Sequence, residues 1–391
     1  MNKIIAYTGL FEFPYGQAAS KRVLGNIKLL NSLGFEVLVG HGGNEKYSEL
    51  TIDGHKTKCY GLDEIFHKKS GLSKLYNHVF ISGNSTIKWL NGLQEKPTYL
   101  ICYGGYYTYS NKIINYCKKN NIKIIFDLVE WYQPDQMLGG RYGFFYNSFL
   151  LAFKYIYPKA DGIITISSAL KENFNKNRCV IIPPLDASVS GNKFIESEVS
   201  DCLSLVYAGN IGNKDYLGNI IKVVEKLSLD HNLYFSIYGP TEREVKLRCG
   251  IDEIPIAVGI FGKVDQEKIN DYIRKSDFSI FVRPNSHCNK YGFPSKFVES
   301  LALGVPVATN ITSDLNFYLK DGYNGFIISG ITEQHIEDCI VKMLELSTIE
   351  KLNMRKNSLT SVRENFSCES ITLKSNVFKF FYEIADHSDE K

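Results

Sequence analysis

Residues 283–299, RPNSHCNKYGFPSKFVE, gather the side chains best suited to chemistry. Arg283 ends an apolar strand-like run, and Lys290 sits in the loop that follows. Lys296 opens a helix that Pro294 and Ser295 announce and that Gly304 and Pro306 stop. Lys296 and Glu299 are three apart, so both project from one face of its first turn. As a bare surface pair they would contribute only about 0.3 kcal/mol, and the apolar residues around them fit that reading poorly. Three cations near one helix N-terminus repel one another unless something anionic lies among them. The pattern therefore expects an anionic ligand at this helix start. His287 and Cys288 are adjacent, point in different directions and have no evident co-ligands, so no metal site is read from them.

A second group of residues lies on glycine turns after apolar runs. LVYAGNIGNKDYLGNIIKVVEKL, 205–227, reads as strand, loop and helix. Gly209 and Gly212 allow close backbone approach to a ligand, while Asn210 and Lys214 offer side-chain donors. The spacing misses the dinucleotide fingerprint, because Asp215 stands three past Gly212, and no GK[ST] phosphate loop occurs. Taken alone, this segment is equally a structural turn. YGP (238–240) and FGKV (261–264) place Gly239, Gly262, Lys263 and Val264 at strand ends of the same kind, either as turn chemistry or as part of one ligand edge. In the first half, Tyr15, Gly16 and Gln17 follow the first strand, and FDLVEWYQPD brings Asp127, Glu130 and Trp131 to the end of another. Carboxylates accept from hydroxyls and rings stack on sugar faces, which suits a hydroxyl-rich ligand. A turn carboxylate and a core tryptophan remain the alternative.

The elements that position these residues follow from the hydrophobic pattern. Short apolar runs alternate with longer amphipathic segments, the sign of a parallel sheet covered by helices. Six such runs fall in the first half, from KIIAYTG to CVIIP, and six in the second, from LSLVYAG to GFII. A chain of 391 residues exceeds one ordinary core. The segment 183–201, rich in Pro, Ser, Gly and Glu, reads as a linker. The expected fold is α/β, with Rossmann-like domains at 1–185 and 200–365, a final helical segment at 366–391 and a ligand cleft between the domains. A net charge of +3 without a basic block gives no sign of nucleic acid binding. Nine scattered cysteines without a CxxC pair, and no signal peptide, read as free thiols in a reducing cytoplasm. The apolar run 144–153 is about half of what spans a bilayer. It belongs to a helix at 141–160 expected to be buried, with a peripheral membrane contact as the minority reading.

YAGNIGNK…LGNIIKVVEKL, YGP, FGKV…INDYIRKSDFSIFVR and PSKFVESLALGVPVATN, in that order, resemble the second domain of the family 4 (group 1) glycosyltransferases of GT-B fold. DGIITISSALKENF and IIPPL resemble its first domain. The resemblance implies a retaining, metal-independent transferase with no cofactor, whose nucleotide-diphosphate sugar binds the second domain, whose acceptor binds the first, and whose last helix, within 366–391, crosses back to the first domain. Glu299 matches the second glutamate of the family's E-x7-E motif, which holds the donor ribose. Lys296 matches a cation near the diphosphate, and Gly209 to Gly212 match the loop over the phosphates. Tyr291 stands where the first glutamate would fall, and Asn210 where an arginine is frequent. The RPNSHCNKYGFPSK form is similar to a bacterial surface-polysaccharide branch, which implies phosphate binding by Arg283 and Lys296. Glu130 replaces a cleft-edge histidine in the first domain. The resemblance thus implies Lys296, Arg283 and Glu130 as the catalytic set. Gly209, Asn210, Gly212, Lys214, Gly239, Lys263, Val264, Lys290, Ser295 and Glu299 join Lys296 around the donor, and Tyr15, Gly16, Gln17 and Trp131 meet a glycan or lipid-linked acceptor. The expected place is the cytoplasm, with peripheral contact at the inner face of the cell membrane as the minority alternative; the oligomeric state is left open. Competing classes are a GT-B-fold nucleotide-sugar epimerase and a catalytically silent nucleotide-sugar-binding partner.

Overall fold

The structure, a computed structural model, describes residues 3–14, 18–45, 47–64, 71–186, 201–211 and 215–386. Tyr15, Gly16, Gln17, Gly212, Lys214 and most of the 183–201 segment lie outside the described residues. Two compact units make up the chain: unit 1 is Met1–Ala187 with Cys368–Lys391, and unit 2 is Ser188–Ser367. The sequence reading puts the boundaries at 185 and 200 from linker composition and at 365 from the start of the last helical segment.

Unit 1 contains β1 (Ile4–Gly9), β2 (Glu36–His41), β3 (Ser48–Ile52), β4 (His55–Gly61), β5 (Tyr99–Tyr103), β6 (Lys123–Leu128), β7 (Gly162–Thr165) and β8 (Cys179–Ile181). They form one sheet in the order β3-β4-β2-β1-β5-β6-β7-β8. Every pairing is parallel except β3 with β4. The six expected apolar runs are all strands. The β3–β4 hairpin is an addition, and it closes through Asp53-Gly54, a pairing favoured in two-residue hairpin turns. Its residues alternate charged and small or apolar, as at a sheet edge, so no continuous apolar run marked it.

Both faces of the unit 1 sheet are buried, and one carries a large hydrophobic cluster. Val23, Ile27 and Leu30 of the Ala18–Ser32 helix pack on Ile5, Tyr7, Val37 and Val39. The Ile371–Asp386 helix adds Val377, Phe380, Phe381 and Ile384 to the same cluster, with the Phe381 ring 4.8 Å from Phe35 and 5.0 Å from Tyr99. The Phe144–Tyr155 helix departs from its expected all-round burial. Ser148, Phe149, Ala152 and Phe153 are buried, whereas Leu151 and Tyr155 are exposed, because neighbouring elements cover one side of it. No helix among the described residues is long and apolar enough to cross a membrane.

Unit 2 contains β9 (Leu203–Ala208), β10 (Leu233–Tyr238), β11 (Val258–Gly262), β12 (Phe278–Ile280), β13 (Val307–Thr309) and β14 (Gly325–Ile327). They run parallel in the order β11-β10-β9-β12-β13-β14. Counted within the unit this is 3-2-1-4-5-6, the doubly wound order that opens a crevice where the winding reverses. The reversal lies between β9 and β12, and the loops after these two strands carry Gly209, Asp215 and Arg283.

A buried ionic cluster ties unit 1 together. Asp127 at the end of β6 is fully buried and accepts from Arg22 Nε (3.0 and 3.1 Å) and Arg22 Nη2 (2.6 Å). The Tyr7 hydroxyl (2.5 Å) and the Asn26 amide (3.1 Å) also donate to it. Arg22 Nη1 donates to the Ile182 carbonyl, which joins the first helix to the end of the sheet. Arg22→Met would leave this carboxylate buried without its cation, at an expected cost of about 3–5 kcal/mol. Native-state hydrogen exchange at the β1 and β6 amides measures that loss, and the double variant Arg22→Met/Asp127→Leu should regain much of it.

Candidate active site

Asp215 follows the glycine loop after β9 and is held in place by its neighbour, because the Tyr216 N–H donates to the Val282 carbonyl beyond β12 at 2.7 Å. Its side chain is 2% exposed. Lys296 Nζ donates to Oδ2 at 2.5 Å, Arg283 Nε to Oδ1 at 3.1 Å and the Tyr207 hydroxyl to Oδ2 at 2.7 Å. Arg283 is fixed in turn by Asn310 just past β13, which accepts from the Arg283 N–H at 2.8 Å and donates to its carbonyl at 2.9 Å. Lys296 lies 4.2 Å over the Tyr207 ring and also donates to the Tyr207 hydroxyl at 2.9 Å. Cation–π attraction and the charged hydrogen bonds thus hold the ammonium from two sides.

Gly209 explains why the lysine can reach this place. A Cβ on Gly209 would come within 2.4 Å of Lys296 Cε, and the residue has φ +146°. Any other residue would collide with the lysine and strain the backbone. The Ser295–Ala302 helix that carries Lys296 starts where Pro294 and Ser295 predict, and Phe297, Val298 and Leu301 anchor it in the core.

The charges of the cluster are mutually dependent. Burial pushes the Asp215 carboxyl up, but Lys296 and then Arg283 outweigh it and hold the group below the usual carboxylate range. Burial lowers Lys296, and Asp215 restores only part of the loss, with Arg283 opposing it. Its side chain is 17% exposed and that of Arg283 11%. The result is a pair of ordered, partly accessible cations aligned by a carboxylate, a surface able to take an anion.

The structure brings Lys296, Arg283 and Gly209 together, with Glu299 half-buried one turn beyond Lys296. Lys290 is not part of the group: it is exposed, with Nζ 5.7 Å over the Tyr291 ring. The three-cation expectation is therefore corrected to two, because the short His287–Tyr291 helix turns Lys290 outward. Asn210 and Lys263 are exposed, Ser295 is half-buried, and Val264 packs against Val206 and Tyr238. The Gly239 N–H donates to the Gly262 carbonyl at 2.7 Å. In unit 1, Glu130 is half-buried and its charge bears on Tyr103 and Tyr132. Trp131 is half-buried and meets Phe153 edge-on at 4.3 Å and Phe149 at 6.2 Å.

Asp215, Tyr207 and Asn310 are the residues that spacing did not single out. The one available signal was the electrostatic argument itself, which demanded an anion and which an acid in the adjacent glycine loop satisfies.

Residues 192–360, within unit 2, match the family profile described as glycosyl transferases group 1. An uncharacterized glycosyltransferase of Methanocaldococcus jannaschii is 25% identical over 228 residues, 55% of this chain; the chain spans 57% of that relative's length. A sucrose-phosphate synthase from Thermosynechococcus elongatus superposes with a TM-score of 0.70 at 12% identity, covering 99% of this chain and 100% of that one. Anabaena HepE in complex with UDP and glucose gives 0.65 at 10% identity, covering 97% and 100%. The fold is GT-B, α/β with two parallel-sheet, Rossmann-like units.

Removing the carboxylate tests whether this is an anion site. Asp215→Ala should cost unit 2 about 3–5 kcal/mol, since two cations then face each other. Pyrophosphate should raise the melting temperature of the variant more than that of the wild type, whereas equal shifts would place the anion elsewhere. The same melts carry a pH signature. Because the Asp215 carboxyl is held below its ordinary range, its contribution is complete above the unfolded value of about 3.9 and is lost as pH falls through the folded value. Asp215→Asn should flatten that acid limb.

Proposed function

We propose that this chain is a retaining glycosyltransferase of the family 4 type, moving a sugar from a nucleotide-diphosphate sugar to a glycan, lipid-linked or protein-linked acceptor in bacterial surface-polysaccharide or glycoconjugate synthesis. The observation that carries the reading is the Arg283–Asp215–Lys296 cluster at the winding reversal of unit 2, inside the region that matches the group 1 profile. The diphosphate takes the cations that Asp215 aligns. As the bond from the anomeric carbon to the diphosphate breaks, negative charge grows on the leaving oxygen, and cations already in place need little reorganisation. The acceptor oxygen bonds to the same carbon from the leaving-group side, and its proton passes to the departing diphosphate. Glu299 accepts from the ribose hydroxyls. Gly209, Asn210, Gly212, Lys214, Gly239, Lys263, Val264 and Ser295 complete the donor surroundings, while Lys290 lies at their rim. Glu130, Trp131 and the 15–17 segment are assigned to the acceptor. Because protein cations rather than a divalent ion meet the diphosphate in this reading, turnover is expected to be metal-independent.

Residue roles separate in the kinetics. Lys296→Ala should lower kcat by roughly 10²–10³, the range for losing one preorganised electrostatic donor. Glu299→Gln should act mainly on KM, at about 1.5–3 kcal/mol. Both are measured in EDTA with a labelled donor, and melting temperatures are recorded because losing Lys296 also unpairs Asp215. A labelled glycan supports transfer; an altered nucleotide sugar would indicate an epimerase, and no product a binding partner. Near-wild-type constants for both variants would remove this helix from the active site.

The reading extends to a bilayer at the inner face of the cell membrane. Around the Phe144–Tyr155 helix, Tyr142 is 92% exposed and Phe80 60% exposed, and Lys154 lies on the helix itself. Lys112 donates to the Phe80 carbonyl at 2.8 Å, which puts a second cation beside them. Aromatic rings flanked by lysines suit an anionic lipid surface. The wild type should float with vesicles containing phosphatidylglycerol, and Phe80→Ser/Tyr142→Ser should not.

A further inference from the structure

Unit 1 contains a cavity of about 760 Å³ that the reaction above does not use. Its floor follows from strand register. Ile4 pairs with Glu36 across β1 and β2, and Leu38 and Gly40 of β2 pair with Lys58 and Tyr60 of β4. Alternation along a strand puts all six on one face of the sheet, opposite the face whose Ile5, Val37, Val39 and Cys59 enter the core. Faces of a parallel sheet are ordinarily apolar on both sides. Here Glu36, Lys58 and Tyr60 line an open space beside the Asn84–Gly92 helix instead.

Three aromatic rings form a stepped row along this space. Trp89 of that helix lies on the backbone of Gly40, where a Cβ would come within 2.5 Å of the indole. The Tyr60 ring is 5.7 Å from Trp89 and tilted by 44°, and the Tyr47 ring is 5.3 Å from Tyr60 and tilted by 59°. Tyr47 is 54% exposed. Tyr47 is exposed and Tyr60 half-buried, so part of each ring remains open to a ligand. The charged lining is balanced, Lys58 and Lys88 against Glu36 and Glu95. It has no net field for a phosphate or a nucleotide, but it supplies both donors and acceptors for hydroxyl groups. The volume falls within the ~300–1,000 Å³ of small-molecule sites. Ile4 and Glu36 begin their strands, so the cavity reaches the edge of the sheet opposite the one where β6 leads to Glu130 and Trp131.

We propose that this cavity is a non-reacting carbohydrate site, binding a neutral oligosaccharide whose pyranose rings lay their C–H faces on Tyr47 and Tyr60 while Glu36, Lys58 and Lys88 bond its hydroxyls. It does not depend on the transferase reading, and it is tested on the full chain without any nucleotide. Cellohexaose, maltohexaose and chitohexaose are titrated by calorimetry and by saturation-transfer NMR, with melting curves as the folding control. At least one hexaose should bind. Tyr60→Ala should weaken it about tenfold and Tyr47→Ala at least threefold. The Tyr47 ring is exposed, so that variant keeps the test valid if Tyr60→Ala fails to fold. Absence of binding by all three hexaoses, or binding indifferent to Tyr47→Ala, overturns the proposal. So does binding lost in Trp131→Ala and retained in the tyrosine variants, which would place the glycan at the other edge of the sheet.

Discussion

The carboxylate of Asp215 bonds at once to an ammonium, a guanidinium and a phenol, and the edge of the unit 2 sheet is arranged around that meeting. Its partners come from three segments: Tyr207 of β9, eight residues before it, Arg283 three residues past β12, and Lys296 from the next helix but one. Taking a carboxylate out of water is costly, and the cost is offset only if every partner is in position. That requirement explains the surrounding detail. Asn310 clamps the backbone of Arg283, Tyr216 ties the loop to Val282, and Gly209 leaves room for the lysine stem.

Unit 1 has a related arrangement with a different outcome. In both β1 and β9, the first strands of their units, a tyrosine stands two before a glycine: Tyr7-Thr8-Gly9 and Tyr207-Ala208-Gly209. In each case the phenol donates to an aspartate that also takes an arginine. In unit 1 the aspartate is fully buried and Arg22 gives every bond inward, to Asp127 and the Ile182 carbonyl. In unit 2 the second cation, Lys296, retains some exposure. The first cluster is therefore a clamp between helix and sheet, and the second is a surface that another anion can reach.

The twelve apolar runs were legible because buried parallel strands are apolar on both faces. The β3–β4 hairpin was not, because an edge strand alternates, and its Asp-Gly turn was the available cue. Lys296, Arg283 and Gly209 were legible from residue type at strand and helix ends. Asp215 was hidden for a physical reason: its pairs span 68 and 81 residues, and no local spacing encodes them. Lys290 misled because sequence proximity does not fix the direction of a side chain, and one short helical turn points it to solvent. Trp131 was ambiguous between stacking on a ligand and packing, and it is half-buried with edge-on contacts to Phe149 and Phe153, an arrangement compatible with either role.

The placement of the indoles has an optical consequence. The chain has two tryptophans, Trp89 on the sheet face of β2 and Trp131 against the Phe144–Tyr155 helix, and both belong to unit 1. Indole emission therefore reports one unit and is silent about the other, while far-ultraviolet dichroism sums over both. In a denaturant titration, the gap between the two curves measures how independently the units come apart, with no label introduced.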